Sequence, residues 1–274
     1  MGSRVCRACG GLNGEDEARC YRCGKPLAGM GPSLNELFNQ PAIATRILLA
    51  LCCVDFAYLV WVNGSLPLAI IGPGPSLESM VRSGALFLDF ASREPWRLLA
   101  AVYSHLGVLH LGMNMMALVQ FGRAIEDRLG SARLVVLFTV TGIVGFLASM
   151  LWYGPESPPT AGASGALFGF VGYLIGVLHA RKDPNTRSIV MQQLAYAVAF
   201  ALLVPVNNAA HLGGFVSGFA AGRLFHLERN PHRAEPVFRV LAVLSLLAAV
   251  ASMVLSATSP LGQLAHAYDL ALGR

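Results

Sequence analysis

Apolar residues run along this chain in blocks, not in alternating or half-turn stripes. Blocks near 42–63, 104–122, 132–152, 164–180, 187–204, 208–226 and 237–257 approach the roughly 20 residues that a helix needs to cross a bilayer. Ahead of them, residues 1–27 are polar and Cys-rich, and 28–41, with G-M-G-P-S-L-N-E, read as a linker. The stretch 64–103 is mixed and rich in Gly and Pro. It is too irregular to span and too apolar to be a solvated loop. It is therefore predicted to lie in the membrane interface, anchored by Trp96 at headgroup level and by a snorkelling Arg97.

Composition sharpens this picture. Of 274 residues, 55% are hydrophobic and 13% charged, about half the charged fraction of an ordinary soluble domain. The net charge of +5 does not point to nucleic acid, because the basic residues cluster at the ends of apolar blocks. Arg123, Arg128 and Arg133 lie between two blocks; Arg181, Lys182 and Arg187 between two others; Arg223, Arg229, Arg233 and Arg239 before the last. Connections 153–163 and 205–207 contain none. The positive-inside rule then puts the N-terminus in the cytoplasm and the C-terminus outside, in a plasma (inner) membrane protein. The polar start does not read as a signal peptide.

Four of the six cysteines form Cys6-x-x-Cys9 and Cys20-x-x-Cys23, with Gly10 and Gly24 after the second Cys of each pair. Two such knuckles suit one tetrahedral structural zinc, which can stabilise a unit this small. A cytoplasmic location disfavours two disulfides, and two pairs without a βαβ pattern disfavour a redox motif. Arg4, Arg7, Arg19, Arg22 and Lys25 make the ribbon basic, which suits anionic lipid headgroups as well as nucleic acid, and the short linker to the first span favours lipid. The ribbon is read as a docking module for a cytoplasmic partner or only a folded cap. Cys52 and Cys53 lie in the first block and read as packing residues.

Polar side chains at membrane depth are costly and mark function. The second block carries His105, His110 and Asn114, with the last two on one helical face. The fourth opens with Gly162-Ala163-Ser164-Gly165, and the sixth has His211 near its outer end. Alternating helix directions bring Ser164, His211 and His110 to similar depth near the outer face. Gly165, Gly169, Gly172 and Gly176 form one stripe and Gly214, Gly218 and Gly222 another, so the two helices can touch backbone to backbone. A Ser hydroxyl facing an imidazole is a minimal activated nucleophile. N–H groups at the start of the Ser164 helix, with His110 and Asn114, supply donors for an oxyanion. No carboxylate is available at that depth for a triad, so a dyad is expected. There is no H-E-x-x-H and no pair of intramembrane Asp, since Asp55 is alone in its block. Metalloprotease and aspartyl chemistry are thereby disfavoured.

In this setting the sequence resembles the rhomboid family of intramembrane proteases over about residues 90–226. The resemblance is carried by Trp96-Arg97, His105, His110-x-x-x-Asn114, Glu126-x-Arg128, Gly162-x-Ser164-Gly165 and Ala210-His211-x-x-Gly214-x-x-x-Gly218. It implies an all-α membrane protein with a six-helix core at 42–226, an extra C-terminal span and tail at 227–274, and the zinc ribbon as an accessory. It implies Ser164 as nucleophile and His211 as general base. His110, Asn114 and the Ser164 amide would form the oxyanion hole, with no catalytic cofactor. Gly162 and Gly165 would shape the nucleophile turn, and Trp96-Arg97 would belong to the membrane-lying first loop. Glu126, Arg128 and His105 would be structural. Phe168 stands where many members carry a Tyr stacked on the base, and it keeps the stacking face. Substrates would be transmembrane proteins. The alternative on the same fold is a catalytically silent scaffold that binds transmembrane clients. A transporter would call for paired inverted halves, and no such internal symmetry is present.

Overall fold

The polar N-terminal segment folds as a small hairpin and the apolar remainder as helices. The computed structural model describes residues 3–6, 9–14, 17, 19–24, 27, 38, 40–67, 74–87, 91–154, 159–192, 207–228 and 231–271. The chain divides into two units, Met1–Gln40 and Pro41–Arg274. In the first, β1 (Ser3–Val5) pairs antiparallel with β2 (Leu12–Gly14). Asn13 is buried in this hairpin; its amide donates to the Gly11 carbonyl, and its oxygen accepts from the Tyr21 N–H at 3.0 Å. That bond ties the hairpin to the second Cys pair.

The second unit is helical: α1 (Ile43–Asn63), α2 (Leu77–Arg82), α3 (Arg97–Tyr103), α4 (Val108–Leu129), α5 (Ser131–Tyr153), α6 (Ser164–Ala180), α7 (Asn208–Leu227), α8 (Pro231–Ala257) and α9 (Pro260–Ala271). Residues 186–192 are also helical, while most of the predicted 187–204 span lies outside the described residues. Helices α1, α5 and residues 233–257 of α8 are long and apolar enough to cross a membrane, and α3 with α4 qualifies as a pair bent by 86°. Helix α6 has 17 residues, about 25 Å of rise, and α7 is diluted by Asn208, His211, Arg223 and His226. Helix α5 is the hub and packs against α1, α3, α4, α6, α7 and α8.

Between α6 and α7 the glycine stripes meet as their spacing predicts. A Cβ added at Gly214 would strike the Gly165 carbonyl oxygen, one at Gly218 the Gly169 carbonyl, and one at Gly222 the Tyr173 carbonyl. In return, Gly172 and Gly176 face the Phe215 and Phe219 carbonyls. No side chain fits between these backbones, so the contact is set by residue size.

Four features differ from the sequence reading. The second span starts at Val108, because the Gly107 backbone is extended, and continues to Leu129 until Gly130 takes a positive φ of 86°. The tail contains α9, which follows α8 after two residues. Arg97 does not snorkel. It is fully buried, pairs with Glu94, and donates through Nη1 to the Val81 and Ala85 carbonyls at 2.7 and 3.2 Å. A guanidinium with carbonyl acceptors in reach gains more from them than from the headgroup region. Arg128, expected to be a structural anchor, is exposed. Arg133 is the buried cation instead. It reaches the Glu228 carboxylate with both terminal nitrogens, at 2.8 and 3.1 Å, and lies over the Phe238 ring, so α5 holds both the end of α7 and the start of α8.

Glu126 does anchor the fold. Helix α1 begins after Ala42 without a side-chain cap of its own. Glu126 of α4 supplies one, accepting from the Ala44 and Thr45 N–H groups at 2.8 and 2.9 Å and from the Thr45 and Ser131 hydroxyls. A carboxylate at a helix N-terminus gains from both hydrogen bonds and dipole. Glu126→Ala is expected to cost about 3 kcal/mol of stability, since it strands several buried donors. Unfolding by SDS titration in mild detergent would check this, and a loss below about 1 kcal/mol would mean that solvent or neighbours replace the cap.

Candidate active site and cysteine cluster

Ser164 is the first residue of α6 and His211 the fourth of α7. The glycine contact brings them together, with His211 Nε2 2.9 Å from Ser164 Oγ. His211 is buried and Ser164 half-buried. Phe168, one turn beyond Ser164, stacks on the His211 ring at 4.2 Å between centroids and 12° between planes. A stacked ring fixes the imidazole plane and aims Nε2 at the hydroxyl. Among the described residues no carboxylate hydrogen-bonds His211; its Nε2 faces Ser164 Oγ.

The turn before Ser164 is held on several sides. Thr160 and Leu86 exchange backbone hydrogen bonds of 2.8 and 3.0 Å. The Gly162 N–H donates to the Ala101 carbonyl at 2.8 Å. His105, fully buried, bonds through Nδ1 to the Tyr103 carbonyl at 2.9 Å, and its Nε2 lies 3.5 Å from the Ala163 N–H. His105 therefore reaches out of the first loop to the turn before Ser164. Gly162 has φ 125°, and a Cβ there would sit 2.6 Å from the His110 ring. Both backbone angle and space demand glycine.

His110 thus lies against the residue two before Ser164, and its ring is 5.1 Å from that of His105. Asn114 is buried one turn further along α4, with its amide nitrogen donating to the His110 carbonyl at 2.8 Å. The Ser164 N–H belongs to the first turn of α6, where backbone donors have no partner within the helix. Of the predicted oxyanion residues, His110 lies against Gly162 in the turn before Ser164, and Asn114 commits one donor to the His110 carbonyl.

Asn207 was not singled out from the sequence. Its side-chain oxygen accepts from the Ala210 N–H at 3.0 Å, capping α7. Its nitrogen donates to Ser149 Oγ at 2.6 Å and Thr160 Oγ1 at 3.0 Å. One side chain thereby joins the helix that carries His211, α5 and the segment leading to Ser164. The available signal was an Asn just ahead of a helix start.

In the N-terminal unit, Cys6, Cys9, Cys20 and Cys23 converge with all sulfurs within 4.8 Å of one another. Cys6 and Cys23 are 3.6 Å apart and Cys9 and Cys20 3.5 Å. A tetrahedral zinc with Zn–S near 2.3 Å needs sulfurs about 3.8 Å apart. The Gly10 N–H bonds to the Cys6 carbonyl and the Gly24 N–H to the Cys20 carbonyl, both at 2.8 Å. Both glycines have φ near 70°, giving two like knuckles. Burial opposes ionisation of Cys20, but the backbone N–H groups of Cys23 and Arg22 outweigh it and bring its pKa down to about 6. The Gly11 N–H favours a Cys9 thiolate, yet the Cys23 thiol, burial and the other thiols push it up to about 12. Thiols this close cannot all ionise unaided, and a dication relieves that repulsion. The four residues fit structural zinc.

Comparison with known proteins agrees with the fold. A family model described as the Rhomboid domain matches residues 92–228. The chain is 33% identical over 219 residues to rhomboid protease GluP of Bacillus subtilis, covering 78% of this chain and 38% of that protein. It is 34% identical over 160 residues to RHOMBOID-like protein 1 of Arabidopsis thaliana, covering 56% and 40%. The putative rhomboid protease YdcA of Bacillus subtilis is 34% identical over 136 residues, which cover 48% of this chain and 68% of that protein. The chain spans about two fifths of the length of the first two relatives. It belongs to the rhomboid family, as an integral membrane protein whose relatives include proteins named as proteases.

Asn207→Ala is expected to lower stability by about 1 kcal/mol through the lost cap. Asn207→Asp, which keeps the accepting oxygen and loses the donor to Ser149 and Thr160, should retain the cap's share. Thermal unfolding of both variants would check this. Equal losses would place the weight on the donor bonds instead.

Proposed function

We propose that this chain is an intramembrane serine endopeptidase, hydrolysing peptide bonds in or near transmembrane segments of other proteins through Ser164 and His211. The observation that carries the reading is the 2.9 Å approach of His211 Nε2 to Ser164 Oγ beneath the Phe168 ring. In this reading His211 takes the Ser164 proton as Oγ attacks the scissile carbonyl. The oxyanion is received by the Ser164 N–H with His110 and Asn114, after Asn114 turns its amide outward. His211 then gives the proton to the leaving amine. A water activated by the same imidazole releases the acyl group and restores Ser164. Phe168 and Gly165 keep ring and backbone in place, and Gly214 and Gly218 keep the helices close.

The arginine distribution supports a cytoplasmic N-terminus in a plasma membrane, with Ser164 opening toward the outer face. The domain limits proposed are 1–27 for the ribbon, 28–41 for the linker, 42–226 for the catalytic core and 227–274 for the C-terminal addition. The ribbon is assigned one structural zinc and a docking role toward a cytoplasmic partner or anionic headgroups, with no nucleic acid.

Cleavage of a single-span reporter in liposomes tests the catalytic reading. Wild type is expected to cleave, and Ser164→Ala and His211→Ala to lose at least about 10³-fold in rate, as for other nucleophile and base deletions. A folded wild type that binds reporters without cutting them would favour the client-binding scaffold. The purified chain should also carry about one zinc, matching a single four-cysteine site. Cys20→Ser should release it, as read by elemental analysis; full retention in that variant would remove the ribbon assignment.

A further inference from the structure

Helix α9 lies at the chain's periphery, yet it buries a carboxylate. Asp269 is 4% exposed, and burial of an ionised group is costly unless hydrogen bonds answer it. Its partners are on α2 of the first connection: Oδ2 accepts from the Glu78 N–H at 2.8 Å and Oδ1 from the Leu77 N–H at 3.3 Å. Around this cap α9 and the end of α8 close on the same short helix. Arg82 donates to the Ala257 carbonyl at 3.0 Å and to Glu78 at 2.8 Å. His266 Nδ1 lies 2.6 Å from the other Glu78 oxygen. Gly262 leaves room for the Arg82 side chain, which a Cβ would meet at 2.9 Å.

A second arm starts at Ser259, whose hydroxyl donates to Glu94. Glu94 pairs with the buried Arg97, and Arg97 holds the Val81 and Ala85 carbonyls. The first arm ends on the start of α2 at Leu77 and Glu78 and on the Arg82 side chain, and the second on the backbone at the exit of α2, the Val81 and Ala85 carbonyls. The next residue, Leu86, makes the two-bond pair with Thr160, four residues before Ser164. The C-terminal helix is thus connected to the nucleophile turn through hydrogen bonds and one short stretch of chain.

We propose that Asp269 is a positioning residue for the active site: α9 fixes α2, and α2 fixes the Leu86–Thr160 pair that presents Ser164. The proposal rests on the Ser164–His211 reading and extends it to a segment beyond the six-helix core. Helix α9 is the strap that makes the first connection rigid. Helix α2 is only six residues long, too short to hold itself, since helices below about 12 residues are marginal alone.

The test uses the full chain in liposomes, with Asp269→Ala and Asp269→Asn. Amide exchange reports the strap without reference to turnover, and kcat and KM on the single-span reporter report the dyad. Asp269→Ala should speed exchange at Glu78 about fivefold, the change expected for a lost cap. Exchange at Leu86 and Thr160 should rise with it, and kcat should fall severalfold with KM little changed. Asp269→Asn keeps one accepting oxygen and should recover part of each effect. Faster exchange at Glu78 with Thr160 exchange and kcat both at wild-type values would reduce Asp269 to a local cap and overturn the proposal. A wild type that does not cleave would overturn the catalytic reading, whereas Thr160 exchange that ignores Asp269 would overturn the strap, so the two failures are told apart.

Discussion

The backbone contact between α6 and α7 is the constraint on which the rest of the structure depends. Gly214, Gly218 and Gly222 rest on the carbonyls of Gly165, Gly169 and Tyr173 with no space for a side chain. Lipid tails are as apolar as leucine, so close packing of small residues, and not exclusion of water, is what holds such helices together. The approach brings His211 to within 2.9 Å of Ser164. A bulkier interface would part the two groups by more than a hydrogen bond can bridge, and proton transfer needs that reach.

Around this contact the buried polar groups form cross-links between elements. Glu126 caps α1 from α4, Arg133 ties α5 to α7 and α8, and Asn207 joins α7, α5 and the segment before Ser164. Arg97 does the same for the first connection by holding two carbonyls and Glu94. In a medium without water each such group must find its partner inside the protein. Because the partner is usually on another helix, the need for satisfaction becomes a rule for assembly. Asp55 is buried in α1 and interacts with Ser104, and its Oδ2, like Nη2 of Arg97, has no hydrogen-bond partner among the described residues.

The turn before Ser164 gathers several of these links. Leu86, Ala101, His105 and Asn207 each hold the stretch 160–163 by a different bond. Such over-determination keeps Gly162 at its positive φ and His110 against it. Under the proposed reading, a site held this way acts by preorganisation, with donors and base in place before substrate arrives. The C-terminal addition joins the same network through Ser259 and Asp269, although it stands outside the part of the chain that matches the family.

By itself the sequence determined the membrane class, the placement of most helices, the approach of Ser164 to His211 and the cysteine cluster. Each rests on local or periodic information. Apolar block length sets a span, glycine spacing sets a contact face, and C-x-x-C sets a knuckle. Tertiary structure alone decided what lies opposite what. Arg97 looked like an interfacial anchor because its acceptors, Val81 and Ala85, are backbone carbonyls invisible in a residue string. Arg128 and Arg133 are equivalent as charges on either side of Gly130, and only the fold places Glu228 beside one of them. Helix α9 was read as a tail because its stabilisation lies in α2, about 190 residues away in sequence. Local propensity shows where a helix can form, whereas the partner that satisfies a buried polar group comes from the fold, because hydrogen bonds act over about 3 Å of space whatever the distance along the chain.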